Sequence, residues 1–237
     1  MSIAENLRQI EQQIEDATHK AGRAVNSVTL LAVSKAQKIN KIEEAFKAGQ
    51  KLFGESYLSE AIPKIASLKE YPIEWHFIGP IQSNKTKEIA SHFAWVQSVD
   101  RIKIARRLSE QRPENLGALN ITAQINMFDE STKQGASITE IYDLLDFINQ
   151  QPNLNLKGLM SIPPKQSSEA AQKQQFHKLQ ELFHRIKSTY SGVDTLSMGM
   201  SGDMISAIEE GSTMVRVGTA LFGARPENWK QQLKGNS

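Results

Sequence analysis

The 237-residue chain contains no cysteine. Disulfides, thiolate metal sites and thiol nucleophiles are therefore excluded, and nothing points to an oxidising compartment. Long apolar runs are missing as well. No segment approaches the roughly 18 consecutive apolar residues that span a bilayer, and Ser2, Glu5, Arg8 and Glu11 interrupt the N-terminus where a signal peptide is unbroken. A large charge of one sign is also absent: 28 basic residues are interleaved with 26 acidic ones, for a formal net charge of +2. That balance leaves no electrostatic footprint for nucleic acid, and the densest basic run, Arg106 and Arg107 before Leu108, reads as a solvated helix face. No GxGxxG follows the first strand-like segment, no GxxxxGK[ST] occurs, and His177 and His184 lack the HExxH spacing of a zinc protease. The expectation is a soluble cytoplasmic protein that binds neither nucleic acid, membrane nor metal. No linker-like stretch or shift of composition divides the chain, so residues 1–237 are read as one domain.

What is present is alternation. Ile3, Leu7, Ile10, Ile14 and Ala17 recur at helical spacing after Ser2, a capping residue, and before Gly22. Eight short β-rich segments then follow, at 28–34, 51–55, 74–79, 94–98, 121–127, 156–161, 195–200 and 214–217. Amphipathic helical stretches separate them, the clearest at 41–48 after Asn40, at the capping box of Ser137 and Glu140, and at 169–189. Strands joined by helical crossovers run parallel, and strands apolar on both faces are covered on both sides. Eight such units in this length predict a single (β/α)8 barrel with an additional N-terminal helix.

Chemistry in such a barrel gathers where strands end. Lys35 closes the first strand, in Leu30-Leu31-Ala32-Val33-Ser34-Lys35. A solvated lysine is one reading; an amine held partly dry, with a lowered pKa that lets it attack an aldehyde, is the other. Barrels often grip phosphate with the loops after strands 7 and 8. Here those loops bring Ser201, Gly218 and Thr219, although glycines there also serve plain turns. Arg216, one residue before Gly218, points to the same side by strand alternation. It can donate to a pyridine nitrogen and, being always protonated, keeps that nitrogen unprotonated and the ring a poor electron sink. Aldehyde, phosphate and pyridine together describe pyridoxal 5'-phosphate (PLP). Weaker signals at strand ends are Glu55, Ser56, Gln82, Ser83, Asn84, Asn126 and Ser161, while His76 reads as a hydrogen-bonded core residue and Met160, Met198, Met200, Met204 and Met214 as core filling.

The segments "AVSK" at 32–35, "FGES" at 53–56, "WHFIGPIQSNK" at 75–85, "GLMSIP" at 158–163, "LSMGMS" at 196–201 and "STMVRVGTALFGAR" at 212–225 carry a resemblance. Over nearly its whole length the chain resembles the pyridoxal phosphate homeostasis proteins, the YggS or PROSC family of vitamin B6 metabolism. The resemblance implies a barrel similar to the N-terminal domain of alanine racemase. It implies PLP bound as a Schiff base on Lys35, phosphate held by Ser201, Gly218 and Thr219, and the ring nitrogen by Arg216. With no second domain to bring an opposed base, the expectation is a carrier or buffer of PLP without robust catalysis, with PLP-dependent apo-enzymes as its partners, and the lack of an apolar dimer stripe adds the expectation of a monomer. Ser56 and Gly202 depart from the family's usual "FGEN" and "MSDDM" patterns, which puts a polar contact at Ser56 in doubt and leaves the phosphate loop intact. Two rivals stand. A PLP-dependent amino-acid racemase needs two opposed bases, and the residues after Arg225 are too few to supply a second domain bearing one. A sugar-phosphate isomerase would use Glu55 as base.

Overall fold

The computed structural model describes residues 1–128, 134–164, 166, 168–225 and 229. α1 (Ile3–Lys20) begins with the capping box that its sequence offers: the Ser2 hydroxyl accepts from Glu5 N–H at 3.2 Å and the Glu5 carboxylate accepts from Ser2 N–H at 2.8 Å. Its buried face is Ile3, Leu7, Ile10, Ile14 and Ala17. Strand and helix then alternate as β1 (Thr29–Val33), α2 (Ile39–Lys47), β2 (Leu52–Glu55), α3 (Leu58–Ser67), β3 (Glu74–Phe77), α4 (Thr86–His92), β4 (Trp95–Val99) and α5 (Ile102–Gln111). The second half runs β5 (Leu119–Gln124), α6 (Ile141–Asn149), β6 (Leu154–Met160), α7 (Glu169–Thr189), β7 (Thr195–Met200), α8 (Met204–Glu209), β8 (Met214–Val217) and α9 (Thr219–Phe222).

The eight strands pair in sequence order and close, β8 returning to β1 through Thr29 opposite Met214 and Ala32 opposite Val217. The expected barrel with its extra N-terminal helix is what forms. α1 lies over the seam of that closure, packed on α2, α8 and α9. Among the described residues no helix is long and apolar enough to cross a membrane.

Strand limits differ from the sequence expectation most at β5 and β6: both start two residues earlier, and β5 ends at Gln124, three residues before the expected end at Met127. Asn120 and Asn155 fall outside the expected segments, but in the barrel they pair across β5 and β6, Asn155 Nδ2 donating to Asn120 Oδ1 at 3.3 Å. The Ser137–Glu140 box is formed, and the regular helix behind it starts at Ile141. Four of the five methionines fill the core; Met200 does not, being 44% exposed at the end of β7.

The two faces of the strands differ in chemistry. Outward residues, among them Ala32, Phe53, Trp75, Val96, Ile121, Leu196 and Val217, join one apolar cluster with the helices. Inward positions carry Leu31, Val33, Met160 and Met214 together with buried His76, Gln97, Thr122, Ser197 and Arg216. A barrel of this type is usually filled by branched aliphatic layers, so this polar filling is a specific feature of the chain.

Candidate functional site

Lys35 sits in a turn just past β1, where Gln37 N–H donates to Ser34 O at 3.0 Å. The third residue of that turn, Ala36, has φ +62°. A β-carbon disfavours this left-handed conformation, and such strain persists only where surroundings enforce it. Here Glu60 enforces it, its carboxylate accepting from Ala36 N–H at 2.8 Å. By alternation Lys35 continues the inward set Leu31 and Val33, so its side chain is directed over the barrel mouth.

Behind the turn lies a buried ionic cluster. Glu55 shares its strand face with Phe53, so it points outward to α3 rather than into the mouth. Its Oε1 accepts from Ser34 Oγ at 2.6 Å and from Lys64 Nζ at 2.8 Å, and Lys64 also donates to Ser34 O at 2.9 Å and reaches Glu60 at 3.5 Å. Burial pushes the Glu55 carboxyl up, against the pull of Lys64 and Ser34. Glu55 is thereby occupied in bracing the Lys35 turn, which removes it from the role of a base acting on a ligand at the mouth. Sequence reading missed Lys64 and Glu60; the available signal was a lysine on the buried face of α3, three residues after Ala61.

Across the closure, β8 brings Arg216 to the same mouth. Its guanidinium donates to Ser197 O at 2.8 Å, Ser197 Oγ at 2.7 Å and Ser161 O at 2.9 Å. Among the described residues these bonds use three of the five N–H groups of an arginine, which leaves two for a ligand. Burial pushes the Arg216 pKa down to about 10, with Asp203 opposing, so the group stays charged at neutral pH. Gly218 follows on the same face, and a β-carbon there would lie 3.3 Å from the Val33 carbonyl oxygen. The glycine lets the chain pass close to β1 beside Lys35. Thr219 and Ser201 are exposed, and among the described residues their hydroxyls make no hydrogen bond. Asp203 orders the Ser201 loop by accepting from Met200 N–H at 2.5 Å. Gly202 is in open space with no positive φ, so nothing at that position demands glycine.

Lys35, Arg216, Gly218, Thr219 and Ser201 therefore belong to three neighbouring strand ends, those of β1, β8 and β7. The Lys35 amine is held below the ordinary lysine range, first by burial and then by the Arg225 and Arg216 charges, against Glu55 and Glu60. Arg225 in turn stacks over Trp229, 5.1 Å from its ring centroid, and Trp229 lies 6.3 Å from Tyr57 at the start of α3. The rest of the segment after Arg225 lies outside the described residues. Ser161 joins the site through its carbonyl oxygen only. Ser56 is buried, while Gln82 leads into a 3-10 turn (Ser83–Lys85) toward α4. No group of His, Asp and Glu among the described residues is arranged to hold a metal.

The model of the family "Alanine racemase, N-terminal domain" matches residues 4–226. A protein of Vibrio alginolyticus named pyridoxal phosphate homeostasis protein is 50% identical over 228 residues, which are 94% of this chain and 98% of that one. One of the same name from Pseudomonas aeruginosa is 51% identical over 224 residues, 94% of this chain and 96% of that one. PipY of Synechococcus elongatus, in a structure with PLP bound, superposes with a TM-score of 0.82 at 33% identity, covering 94% of this chain and all of that one. On a full barrel match and half of its residues shared from end to end, this chain belongs to the pyridoxal phosphate homeostasis protein family, built on the alanine racemase N-terminal fold.

Proposed function

We propose that the chain holds PLP as a Schiff base on Lys35 and acts in intracellular PLP homeostasis, as a carrier or buffer without robust catalysis. The observation that carries this reading is Lys35 itself: a half-buried amine of lowered pKa, braced in a strained turn, beside donors suited to a phosphate and a charged donor suited to a pyridine nitrogen. PLP would supply an aldehyde, and Lys35 would hold it by condensation of its amine with loss of water. The hydroxyls of Ser201 and Thr219 and the close-passing backbone at Gly218 would receive the phosphate. The two free N–H groups of Arg216 would face the ring nitrogen.

Arg216 also argues against catalysis. An arginine donates and does not accept, so the ring nitrogen stays unprotonated and stabilises a carbanion poorly. We further propose that the protein is a cytoplasmic monomer that yields PLP to apo-enzymes.

Visible spectra of the purified protein with and without PLP test the reading. A Schiff-base band is expected in the parent, absent in Lys35→Ala, and fixed to Lys35 by borohydride reduction. No band in the parent at excess PLP overturns it, and amino-acid turnover that vanishes in Lys35→Ala overturns the carrier role.

A further inference from the structure

Five side chains form a continuous hydrogen-bonded chain through the barrel, from Arg216 at the mouth to Glu74 at the opposite face. Arg216 Nη1 donates to Ser197 Oγ at 2.7 Å, and Ser197 Oγ donates to Gln97 Oε1 at 2.7 Å. Gln97 Nε2 lies 2.9 Å from His76 Nδ1, and His76 Nε2 lies 3.0 Å from Glu74 Oε1. Ser197, Gln97 and His76 are fully buried, whereas the Glu74 side chain is 43% exposed where β3 begins.

The direction of every bond follows from its two ends. Burial holds the His76 pKa down, so the ring is neutral and has one N–H. The Glu74 carboxylate needs that N–H on Nε2; His76 holds its pKa below the ordinary carboxylate range. Nδ1 then accepts, which orients the Gln97 amide with its nitrogen toward His76 and its oxygen toward Ser197. Ser197 must donate to that oxygen and accept from Arg216. Each donor thus points away from a cation and toward an anion, the order in which neighbouring bonds polarise one another favourably. Trp95 stacks on His76 at 5.1 Å, which holds the ring, and Thr122 Oγ1 donates to the backbone carbonyl oxygen of Gln97 at 3.0 Å, which fixes the strand that carries the amide.

We propose that Ser197, Gln97, His76 and Glu74 are positioning residues for Arg216, a through-barrel chain that fixes its guanidinium toward the pyridine nitrogen of PLP. The chain determines which Arg216 N–H groups remain for the ligand and ties the charge at the ring nitrogen to a carboxylate on the far face. This rests on the PLP reading above. Among the described residues, the charged groups that face Arg216 are Asp203 from the β7 loop and Lys35 from the end of β1, and the one facing His76 is Glu74.

The test uses the full chain, PLP labelled with 15N in its ring, and the variants Gln97→Leu, His76→Phe and Glu74→Gln. Three quantities are read: the ring-nitrogen chemical shift, the PLP dissociation constant, and proton exchange of the Arg216 guanidinium in cofactor-free protein. Gln97→Leu should keep the Lys35 Schiff base, move the ring-nitrogen shift, speed guanidinium exchange and weaken PLP roughly tenfold, or about 1.4 kcal/mol. His76→Phe, which keeps a ring against Trp95, should do the same, and Glu74→Gln should move both spectroscopic quantities less but in the same direction. Parental shift and parental exchange in a folded Gln97→Leu protein overturn the proposal. If the two interior variants do not fold, Glu74→Gln at the exposed end decides on the same readouts. A parent that binds no PLP refutes the cofactor reading alone, because guanidinium exchange in cofactor-free protein still reads the chain.

Discussion

The inner and outer faces of the same eight strands solve different problems. Outside, Phe53, Trp75, Val96, Ile121 and Val217 meet helix residues such as Ile42, Ile89, Leu108, Leu145 and Phe176, all with nearly no exposure. Burial of this kind is worth about 25 cal/mol for each Å² removed from water and does not depend on direction. Inside, His76, Gln97, Ser197 and Arg216 contribute far less apolar area, and each is held by two or three hydrogen bonds at fixed distances. A buried hydrogen bond gains only about 0.5–1.5 kcal/mol net, but leaving its partner unmade costs about 1–3 kcal/mol. The outer layer therefore supplies stability, and the interior supplies orientation.

That division is sharpest at its extremes. Phe176→Ala removes a fully buried ring from α7 and should cost about 3–5 kcal/mol of unfolding free energy, read from denaturant midpoints. The PLP dissociation constant of the folded fraction should remain at the parental value. A large loss of PLP affinity in that variant would break the comparison, since it would mean that the outer layer sets the geometry of the mouth.

Arg216→Met probes the other side. Hydrogen bonds to a charged group are worth about 1.5–3 kcal/mol, so PLP should bind roughly ten- to a hundredfold more weakly. Its effect on the unfolding midpoint should be smaller than that of Phe176→Ala, because Ser197 O keeps its bond from Ser161 N–H and Ser197 Oγ still donates to Gln97, so the carbonyl of Ser161 is the main acceptor lost, and that cost is offset by no longer burying a cation. Unchanged PLP affinity with a large loss of stability would reduce Arg216 to a packing element.

The same contrast explains what could be read from sequence. The outer layer announces itself, because apolar residues at helical and strand spacing define α1, α7 and the eight strands without any knowledge of neighbours. The mouth was partly legible for a topological reason. Once eight units imply a barrel, Lys35, Ser201, Arg216, Gly218 and Thr219 must fall beside one another on adjacent strand ends. The interior was legible only at His76, which read as a hydrogen-bonded core residue and is one, bonded to Gln97 and Glu74. Gln97 and Ser197 are a hundred residues apart, and each looks like one polar residue in an apolar strand until closure sets them 2.7 Å apart. Lys64 was hidden in the same way, since its partners Ser34, Glu55 and Glu60 come from three different segments.

Lys35 marks the boundary between the two regions and should give the smallest effect, with a sign that depends on pH. A lysine whose pKa is depressed by folding carries a charge that the folded state disfavours. Below its folded pKa the folded and unfolded chains are both protonated, and the whole penalty applies. As pH rises from that value toward the ordinary 10.5, the folded chain has released its proton while the unfolded chain has not, so the penalty shrinks and stability rises. Cofactor-free Lys35→Met should therefore melt above the parent at neutral pH, by about 2–4 °C if the penalty is near 1 kcal/mol, and the gap should close as the buffer becomes alkaline. Saturating PLP should reverse the order, because a ligand bound only to the folded parent stabilises it by mass action. A gap independent of pH would assign the gain to the new methionine's packing rather than to the removed charge. A gap that closes would identify the amine as a group whose cost in the empty barrel is recovered when PLP arrives.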